Sequence, residues 1–375
     1  MFHGFSQIFS HGGALMELKF DTSKTYAVAL EGGGARGAYQ SGVWKALNEQ
    51  GFKYAAVSGT SVGALNGAIM AMKRPDLSEE IWNNMDFSLV MKVDGRMMKT
   101  LFDRGLLEVE IKDLSANIKS FFREKGVDVT PLRSLISDKV DPASIKRSGV
   151  RLFVSTFSVS DRRGVDIEAS ALPEQELYDM LMASAYFPGF KNERMKGKLY
   201  ADGGFANNIP ISTLLNHGYK DILVLRLNSI GVEKRVKIPE GTTVTELAPN
   251  TDLGNMMNIS KAHCKRLFRL GYFDGHRLLF GLYGKKYYID RTISEEDAFG
   301  LLCEILKNSR EEDDFPETLR SLHREVLRFA KTLSPKGDYY DTLVAYLEET
   351  AEKQKISEFK IYTDRELLAL VGFEG

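Results

Sequence analysis

TYAVALEGGGARG at residues 25–37 and YAAVSGTSVG at residues 54–63 are the two stretches that decide the fold. Each begins with a short apolar run, passes through a glycine-rich turn and continues into a helical pattern of apolar residues. Strand, glycine turn and helix, repeated at once, are typical of a parallel sheet with crossover helices. The sequence therefore predicts an α/β fold with a mostly parallel central sheet.

Further elements are predicted downstream of these two units. Apolar runs on both sides of the turn Asp161-Arg162-Arg163 predict a hairpin. The other predictions are the strands Lys198–Ala201 and Asp221–Leu227, the helix Glu174–Ser184 and a helix that closes at His217-Gly218. Strand patterns fade after about residue 235. We therefore expect a tail at residues 1–20, a main domain at 21–235 and a mainly helical cap or lid at 236–375.

The composition is that of a globular protein and excludes several classes. The 375 residues carry 50 Lys+Arg against 51 Asp+Glu, which argues against a nucleic-acid binder driven by a basic field. Two cysteines, Cys264 and Cys303, exclude a disulfide scaffold, and no grouping of acids and histidines has metal-ligand spacing. We expect neither a metal nor a cofactor. Because no signal sequence and no apolar run of roughly 18 residues is found, we also expect a cytoplasmic protein.

The run Gly32-Gly33-Gly34-Ala35-Arg36-Gly37 matches the dinucleotide-binding pattern G-x-G-x-x-G. That pattern also needs an acid about 20 residues later to hold the ribose, and Val57-Ser58 occupies this position. A nucleotide site is therefore the weaker interpretation. Glycines at a helix N-terminus also present backbone N–H groups to a developing oxyanion. In that interpretation Arg36 either braces the loop or adds positive potential. The other interpretation of Arg36 is an ordinary loop salt bridge.

The run Gly59-Thr60-Ser61-Val62-Gly63 matches G-x-S-x-G, the pattern of a nucleophilic serine. The apolar strand before it and the helix after it place Ser61 on a sharp turn, where Gly59 and Gly63 relieve crowding. The helix N-terminus stabilises negative charge there, and the Val62 N–H is a candidate oxyanion donor. The other interpretation is a glycine-rich turn whose serine only caps the helix.

A serine nucleophile needs a base, and the histidines are poorly placed to supply one. Two lie in the tail, three lie in the C-terminal third, and His217 is predicted to cap a helix. The remaining candidate is Asp202 in Ala201-Asp202-Gly203-Gly204, because it follows a predicted strand and the carboxyl ends of parallel strands share one edge of the sheet. Taken alone, an Asp-Gly pair is also an ordinary turn. The histidines are His3, His11, His217, His263, His276 and His323.

Together these motifs resemble those of the patatin-like phospholipase family. The family is marked by a G-G-G-x-R-G loop, a G-x-S-x-G elbow and a D-G-G or D-G-A aspartate, with an A-S-x-x-x-P element ahead of the aspartate. The matching residues, within 25–228, are Gly32–Gly37, Gly59–Gly63, Asp202–Gly204 and Ala183–Pro188. The resemblance implies a three-layer α/β/α fold and a catalytic domain at residues 21–235. It also implies that Ser61 is the nucleophile and Asp202 the base, with an oxyanion hole at Gly33, Gly34 and Ala35 supported by Arg36.

The predicted function is a lipid acyl hydrolase that cleaves carboxylic esters through Ser61, Asp202 and an acyl-enzyme. Two alternatives remain open. One is acyl transfer to an alcohol or lysolipid by the same pair of residues, and the other is a catalytically silent lipid-binding or signalling module. The expected partner is a lipid or acyl ester, and no nucleic acid is expected. The residues do not predict the headgroup, the chain length or the oligomeric state.

A basic segment lies between Asn255 and Lys286, where seven Lys or Arg residues face one acid, Asp274. Apolar residues are interleaved partly at helical spacing, which predicts an amphipathic helix. One interpretation is a lid that meets anionic lipid headgroups in a peripheral membrane contact. The other is a helix packed on the catalytic core with a solvated basic face.

Overall fold

The computed structural model describes residues 10–11, 14–92, 127–187, 190, 193–308 and 338–373. The chain divides into two compact units. The larger unit is Asp21–Gly275, and the smaller unit combines Met1–Phe20 with His276–Gly375. Within the described ranges, no helix is long and apolar enough to cross a bilayer.

A single sheet organises the larger unit. Its strands are β1 (Thr25–Leu30), β2 (Lys53–Thr60), β3 (Arg151–Ser158), β4 (Arg163–Glu168), β5 (Tyr200–Ala201), β6 (Asp221–Leu225) and β7 (Thr243–Leu247). Their order is β4-β3-β2-β1-β6-β7, with the short β5 also paired to β3. Strands β3, β2, β1, β6 and β7 are parallel, whereas β4 and β5 run antiparallel to β3. The predicted mostly parallel sheet is therefore confirmed.

Helices cover both faces of this sheet. They are α1 (Gly37–Glu49), α2 (Val62–Ala71), α3 (Pro75–Asn83), α4 (Phe87–Val90), α5 (Thr130–Lys139), α6 (Pro142–Ser148), α7 (Glu174–Ser184), α8 (Ile211–Asn216) and α9 (Lys261–Phe280), which begins in this unit. Gly67 of α2 packs on Val57 and Leu152. Leu214 of α8 packs on the opposite face, in a cluster with Phe153 and Val224. Successive strand residues point to opposite faces of the sheet, so these two helices cover different faces. Both sides of the sheet are therefore buried, as the three-layer α/β/α prediction requires.

The sequence predictions for individual elements hold where the apolar pattern is strong. The strand Thr25–Leu30 and the helix Glu174–Ser184 have the predicted bounds, and the predicted hairpin is β3–β4. The fading of strand patterns after residue 235 was misleading, because β7 continues the sheet beside β6. β7 reads TVTEL and is an edge strand without a fully buried residue, so its sequence lacks an apolar signature.

Helix α9 packs closely on α1 through small residues. A side chain at Gly271 would place its Cβ 1.9 Å from the Tyr39 carbonyl oxygen, and one at Gly42 would lie 1.9 Å from that of Phe268. The Tyr39 hydroxyl also donates to the buried Asp274 carboxylate at 2.8 Å. These contacts place the first part of α9 in the larger unit, which therefore extends beyond the domain boundary expected at residue 235.

The smaller unit is built mainly from helices, with one parallel strand pair. Its elements are β8 (Tyr288–Asp290), α10 (Glu295–Asn308), α11 (Tyr339–Lys353), β9 (Ile361–Thr363) and α12 (Asp364–Leu370), and a short antiparallel pair joins Ser10–His11 to Ala14–Leu15. The Lys19 and Phe20 N–H groups donate to the Leu279 carbonyl at 2.7 and 3.1 Å. This end of the expected tail is therefore docked. Residues 1–9 and 12–13 of that tail lie outside the described residues.

Candidate active site

Ser61 lies at the turn between β2 and α2, with a backbone φ of +54° and ψ of −125°. Two glycines make this turn possible by allowing close backbone approach. A Cβ at Gly59 would lie 2.3 Å from the Gly63 carbonyl oxygen, and a Cβ at Gly63 would lie 2.4 Å from that of Leu30. A positive φ is rare for a residue with a Cβ, and such strain is concentrated at functional sites. The geometry is that of a nucleophile elbow.

The elbow is held from below by Ser184, at the end of α7. The Ser61 N–H donates to the Ser184 hydroxyl at 2.8 Å, and that hydroxyl donates to the Ser155 carbonyl at 2.6 Å. Ser184 is fully buried. This serine belongs to the A-S-x-x-x-P element, which therefore connects the turn to β3. Pro188 of the same element lies outside the described residues.

Asp202 reaches Ser61 by a route that differs from the one predicted. β2 pairs with β3 up to Thr60, and β5 then pairs with the next part of β3 on the same edge. β5 is a two-residue strand antiparallel to β3, so Asp202 does not follow a full parallel strand. The ends of β2 and β5 meet because they share that edge, and a Cβ at Gly203 would lie 2.9 Å from the Thr60 side chain.

The Asp202 carboxylate is buried and lines the same cavity as the candidate nucleophile. Only 7% of the residue is exposed, and Oδ1 accepts a hydrogen bond from the Gly204 N–H at 2.8 Å. Burial raises the pKa of Asp202 to about 6, while hydrogen bonds from the Ser61 hydroxyl and the Gly204 N–H act in the opposite direction. A carboxylate in this environment is a stronger base than an exposed one and is still mainly ionised at neutral pH.

The glycine loop lies beside the elbow, and its N–H groups are not equivalent. Within the residues that the structure describes, the Gly33 and Gly34 N–H groups have no hydrogen-bond acceptor. The Ala35 N–H donates to the Met256 carbonyl at 2.8 Å. The same carbonyl would lie 2.4 Å from a Cβ at Gly34, where φ is +55°. The expectation of an oxyanion donor at Ala35 therefore differs from the structure, in which that N–H is already engaged.

Arg36 braces the loop, which is the first of the predicted roles. Its Nε donates to the Gly254 carbonyl and one Nη donates to the Asn228 carbonyl, both at 2.8 Å. The nearest carboxylate oxygen in an ion pair, on the exposed Asp252, is 4.0 Å away. Arg36 thus ties the glycine loop to two distant loops, with little contribution from charge pairing.

The two ends of the loop pack on neighbouring parts of the site. A Cβ at Gly37 would lie 2.4 Å from the Val62 side chain, so only glycine lets the loop approach α2. The Gly32 N–H donates to the Asn208 carbonyl at 3.2 Å, and its Cα faces the Asn208 side chain. Val62 is the first residue of α2, where backbone N–H groups lack helical acceptors.

Glu31 and Asn208 support the glycine loop and were missed by the sequence analysis. The fully buried Glu31 carboxylate accepts hydrogen bonds from the Leu227 N–H at 2.6 Å and the Ser229 N–H at 2.8 Å. Burial raises the pKa of Glu31, against these two bonds and the nearby Arg226. Asn208 donates to both Glu31 and the Gly32 carbonyl. An acid directly before three glycines is the only signal that the sequence offers for this support.

Ser61 and Asp202 both line one cavity of about 960 Å³ in the larger unit. Gly32, Gly33 and Gly34 contribute to the same wall. The rest of the lining is predominantly apolar and includes Leu65, Trp82, Met91, Ile136, Phe187 and Met257. An apolar cavity with a few polar groups at one place is the usual form of a site for a small apolar molecule.

No described histidine side chain lines this cavity. His217 caps α8, as predicted, and its Nδ1 lies 2.7 Å from the Thr213 carbonyl oxygen. Burial lowers the pKa of His276 to about 4, and burial also lowers that of His263. His3 and His323 lie outside the described residues. Among the described residues, no group of three His, Cys, Asp or Glu side chains is arranged to hold a metal ion.

The model of the patatin-like phospholipase family matches residues 28–215, which is half of the chain. The chain belongs to the patatin-like phospholipase family. The matched range includes the glycine loop, the elbow and Asp202. The part of the chain from residue 216 onward, with β6, β7 and the His276–Gly375 part of the smaller unit, lies outside the family match.

Two curated relatives illustrate this membership. Patatin-like phospholipase domain-containing protein 7 of Mus musculus is 28% identical over 216 residues, which are 56% of this chain and 14% of that protein. Neuropathy target esterase sws of Drosophila melanogaster is 27% identical over 210 residues, which are 56% of this chain and 13% of that protein. The patatin-like chain thus matches about a seventh of the length of these relatives.

A solved structure is also similar to this patatin-like chain. The crystal structure of VipD from Legionella pneumophila is 14% identical, with a TM-score of 0.40, and the alignment covers 96% of this chain and 91% of that one.

Proposed function

We propose that the protein is a lipid acyl hydrolase that uses a Ser61–Asp202 dyad. The observation that carries this proposal is the shared apolar cavity, whose wall holds both Ser61, on its strained turn, and the buried Asp202 carboxylate. Membership of the patatin-like phospholipase family and an esterase-named relative support a hydrolytic reaction on a lipid.

The first half of the proposed reaction forms an acyl-enzyme. Ser61 Oγ attacks the ester carbonyl carbon while Asp202 accepts the hydroxyl proton. The tetrahedral oxyanion accepts hydrogen bonds from the Gly33, Gly34 and Val62 N–H groups. The C–O bond to the leaving alcohol then breaks, and Asp202 returns the proton to that alcohol.

The second half regenerates the enzyme with water. A water molecule attacks the acyl carbon of the Ser61 ester while Asp202 takes one of its protons. Collapse of the second tetrahedral species breaks the bond to Ser61 Oγ, which recovers the proton from Asp202. The products are a carboxylic acid and free Ser61. Because an aspartate is a weak base for a serine hydroxyl, the oxyanion donors must supply much of the barrier reduction.

The test is an assay of ester hydrolysis by the purified protein. The substrates are p-nitrophenyl esters of graded chain length, followed by defined phospholipids and lysophospholipids. We expect Ser61→Ala to lower turnover by at least roughly 10⁴-fold and Asp202→Asn to lower it nearly as much, because each removes one member of the dyad. Ser134→Ala and Asp161→Asn are matched controls at exposed positions whose side chains do not line the cavity, and they should keep wild-type turnover.

The same assay separates hydrolysis from its rivals. Near-normal turnover in Ser61→Ala would exclude the dyad. Release of free fatty acid in the presence of an added long-chain alcohol supports hydrolysis, whereas formation of the new ester identifies an acyltransferase. Wild-type protein that turns over none of these esters would identify a silent lipid-binding module.

A further inference from the structure

Three large apolar side chains are about half exposed on the wall of the Ser61 cavity. Phe205 is 52% exposed, Ile230 is 50% exposed and Val232 is 48% exposed. Phe205 comes from the turn after Asp202, whereas the other two come from the loop between β6 and β7. The Val232 N–H donates to the Gly204 carbonyl at 2.8 Å, so the two segments are joined. These three residues form one apolar rim that is open both to the cavity and to solvent.

The rim continues along the chain into a basic stretch. We define the rim loop as residues 230–238, which read IGVEKRVKI. Its cations are Lys234, Arg235 and Lys237, all of them exposed, and Ile238 adds another apolar side chain that is 40% exposed. In the described part of the chain none of these three cations forms an ion pair. The loop's only acid, Glu233, is paired with Arg226.

This combination fits the surface of an anionic bilayer. Exposed apolar patches of this kind on a soluble fold mark interaction sites, and half-exposed aliphatic and aromatic groups insert at the boundary between headgroups and acyl chains. Unpaired lysine and arginine beside them are attracted to anionic headgroups. A nucleic-acid surface would use the cations but has no use for the apolar residues.

We propose that Phe205 and the rim loop dock the protein on anionic lipid bilayers, with the mouth of the Ser61 cavity facing the membrane. This proposal rests on the proposed function, because a lipid substrate has to leave the bilayer for that cavity. Docking by the rim gives the acyl chain a route that stays apolar from the bilayer to Ser61.

The basic face of α9 is the competing docking surface and provides a matched control. Its Lys265 and Arg266 are exposed, like Arg235 and Lys237. None of the exposed large apolar side chains lies on α9. A membrane contact is one of the two interpretations of this segment from its sequence, whereas the exposure of the apolar side chains favours the rim loop.

The test is co-sedimentation of the full chain with vesicles of phosphatidylcholine alone or of phosphatidylcholine mixed with phosphatidylglycerol. Wild type should bind only the mixed vesicles, and less at high salt. Arg235→Glu/Lys237→Glu should weaken that binding at least roughly tenfold, because two attractive charges become repulsive. Lys265→Glu/Arg266→Glu makes the same change in net charge and should bind within about threefold of wild type.

A tryptophan at the rim reports the docked surface directly. The native Trp44 and Trp82 are both buried, at 1% and 5% exposure, so Ile238→Trp adds an exposed fluorophore that does not line the cavity. We expect its emission to shift to the blue on addition of the mixed vesicles, and lipids with a quencher in the acyl chain should quench it.

Each result decides the docking proposal separately from the proposed function. The docking proposal would be overturned if wild type bound neither kind of vesicle or if only the α9 variant lost binding. An unchanged tryptophan emission would also overturn it. Binding of Ser61→Ala like wild type is expected, because docking needs no catalysis. If wild type binds the mixed vesicles through the rim but cleaves no ester, the proposed function fails while the docking surface stands. Hydrolysis of a soluble short-chain ester should be unchanged in Arg235→Glu/Lys237→Glu.

Discussion

The turn that presents Ser61 and the turn that presents Asp202 place their side chains in opposite ways. The Ser61 turn lies between an eight-residue strand and a ten-residue helix and keeps the serine backbone at a positive φ. The Asp202 turn follows a strand of two residues and has ordinary backbone angles, but it buries the carboxylate. One turn is unfavourable in its backbone conformation, and the other is unfavourable in its charge state.

This difference teaches where the site reduces the stability of the fold. A disfavoured backbone conformation lowers the free energy of unfolding by the same amount at every pH, and this loss disappears when the Cβ is removed. A buried carboxylate lowers the stability of the fold only when it is ionised, and this loss disappears when the charge is removed. Two substitutions can therefore measure the two costs independently, since each leaves the other turn unchanged.

The larger effect is expected for Asp202→Asn at alkaline pH. The usual pKa of 3.8 rises to about 6 in the folded protein, so the folded state binds the proton more tightly than the unfolded state. Wild type therefore loses stability as the pH rises from about 4 to about 6, by on the order of 2–3 kcal/mol in total. Asparagine avoids this loss and can still accept the Gly204 N–H. Thermal unfolding should show Asp202→Asn as the more stable protein at pH 8 and the two as nearly equal at pH 4.

Asp161→Asn is the control of opposite sign. Hydrogen bonds from Lys198 and Ser158 lower the pKa of the exposed Asp161, so its ionised form is favoured by folding. Removal of that charge should give no gain in stability at pH 8. If Asp202→Asn also fails to gain stability, the carboxylate is not destabilised by burial, and the contrast between the two turns is lost.

The smaller effect is expected from a comparison of Ser61→Gly with Ser61→Ala. Both lose the hydroxyl, but only glycine removes the Cβ that disfavours a φ of +54°. Backbone strain of this kind costs roughly 1–3 kcal/mol, and the greater freedom of glycine in the unfolded chain offsets part of the gain. Urea unfolding should therefore show the glycine variant to be more stable by about 1 kcal/mol.

Ser134, an exposed residue inside α5, supplies the matched pair for this comparison. In a helix, glycine is less stable than alanine by about 1 kcal/mol, so Ser134→Gly should unfold more easily than Ser134→Ala. Equal stability of the two Ser61 variants, or the order seen at Ser134, would show that the elbow is not strained.

Most of the fold could be predicted from local sequence patterns, because its central strands are buried on both faces. β1 reads TYAVAL and is followed by a glycine turn, which fixes both its type and its position. β5 and β7 were harder, because the first has two residues and the second is a polar edge strand. Their places depend on pairing with β3 and β6, which no local pattern contains.

The site could be predicted as a set of residues, but the way in which they meet could not. Ser61 follows from the G-x-S-x-G run, since strand, turn and helix are adjacent in the chain. The distance between Ser61 and Asp202 depends on strand pairing. β2 pairs with the first part of β3, and β5 pairs with the next part of β3 on the same edge. The hydrogen bond from the Ala35 N–H to the Met256 carbonyl joins residues 221 positions apart, and no motif predicts it.

The most direct test of the dyad is the rate at which a fluorophosphonate labels the protein as a function of pH, with the labelled peptide identified by mass spectrometry. We expect label on Ser61 alone, with a labelling rate that rises through a pH of about 6, as Asp202 ionises, and is then constant. The Asp202→Asn variant should label at least roughly a hundredfold more slowly and without that rise. Label on another serine, or an unchanged pH dependence in Asp202→Asn, would contradict the dyad.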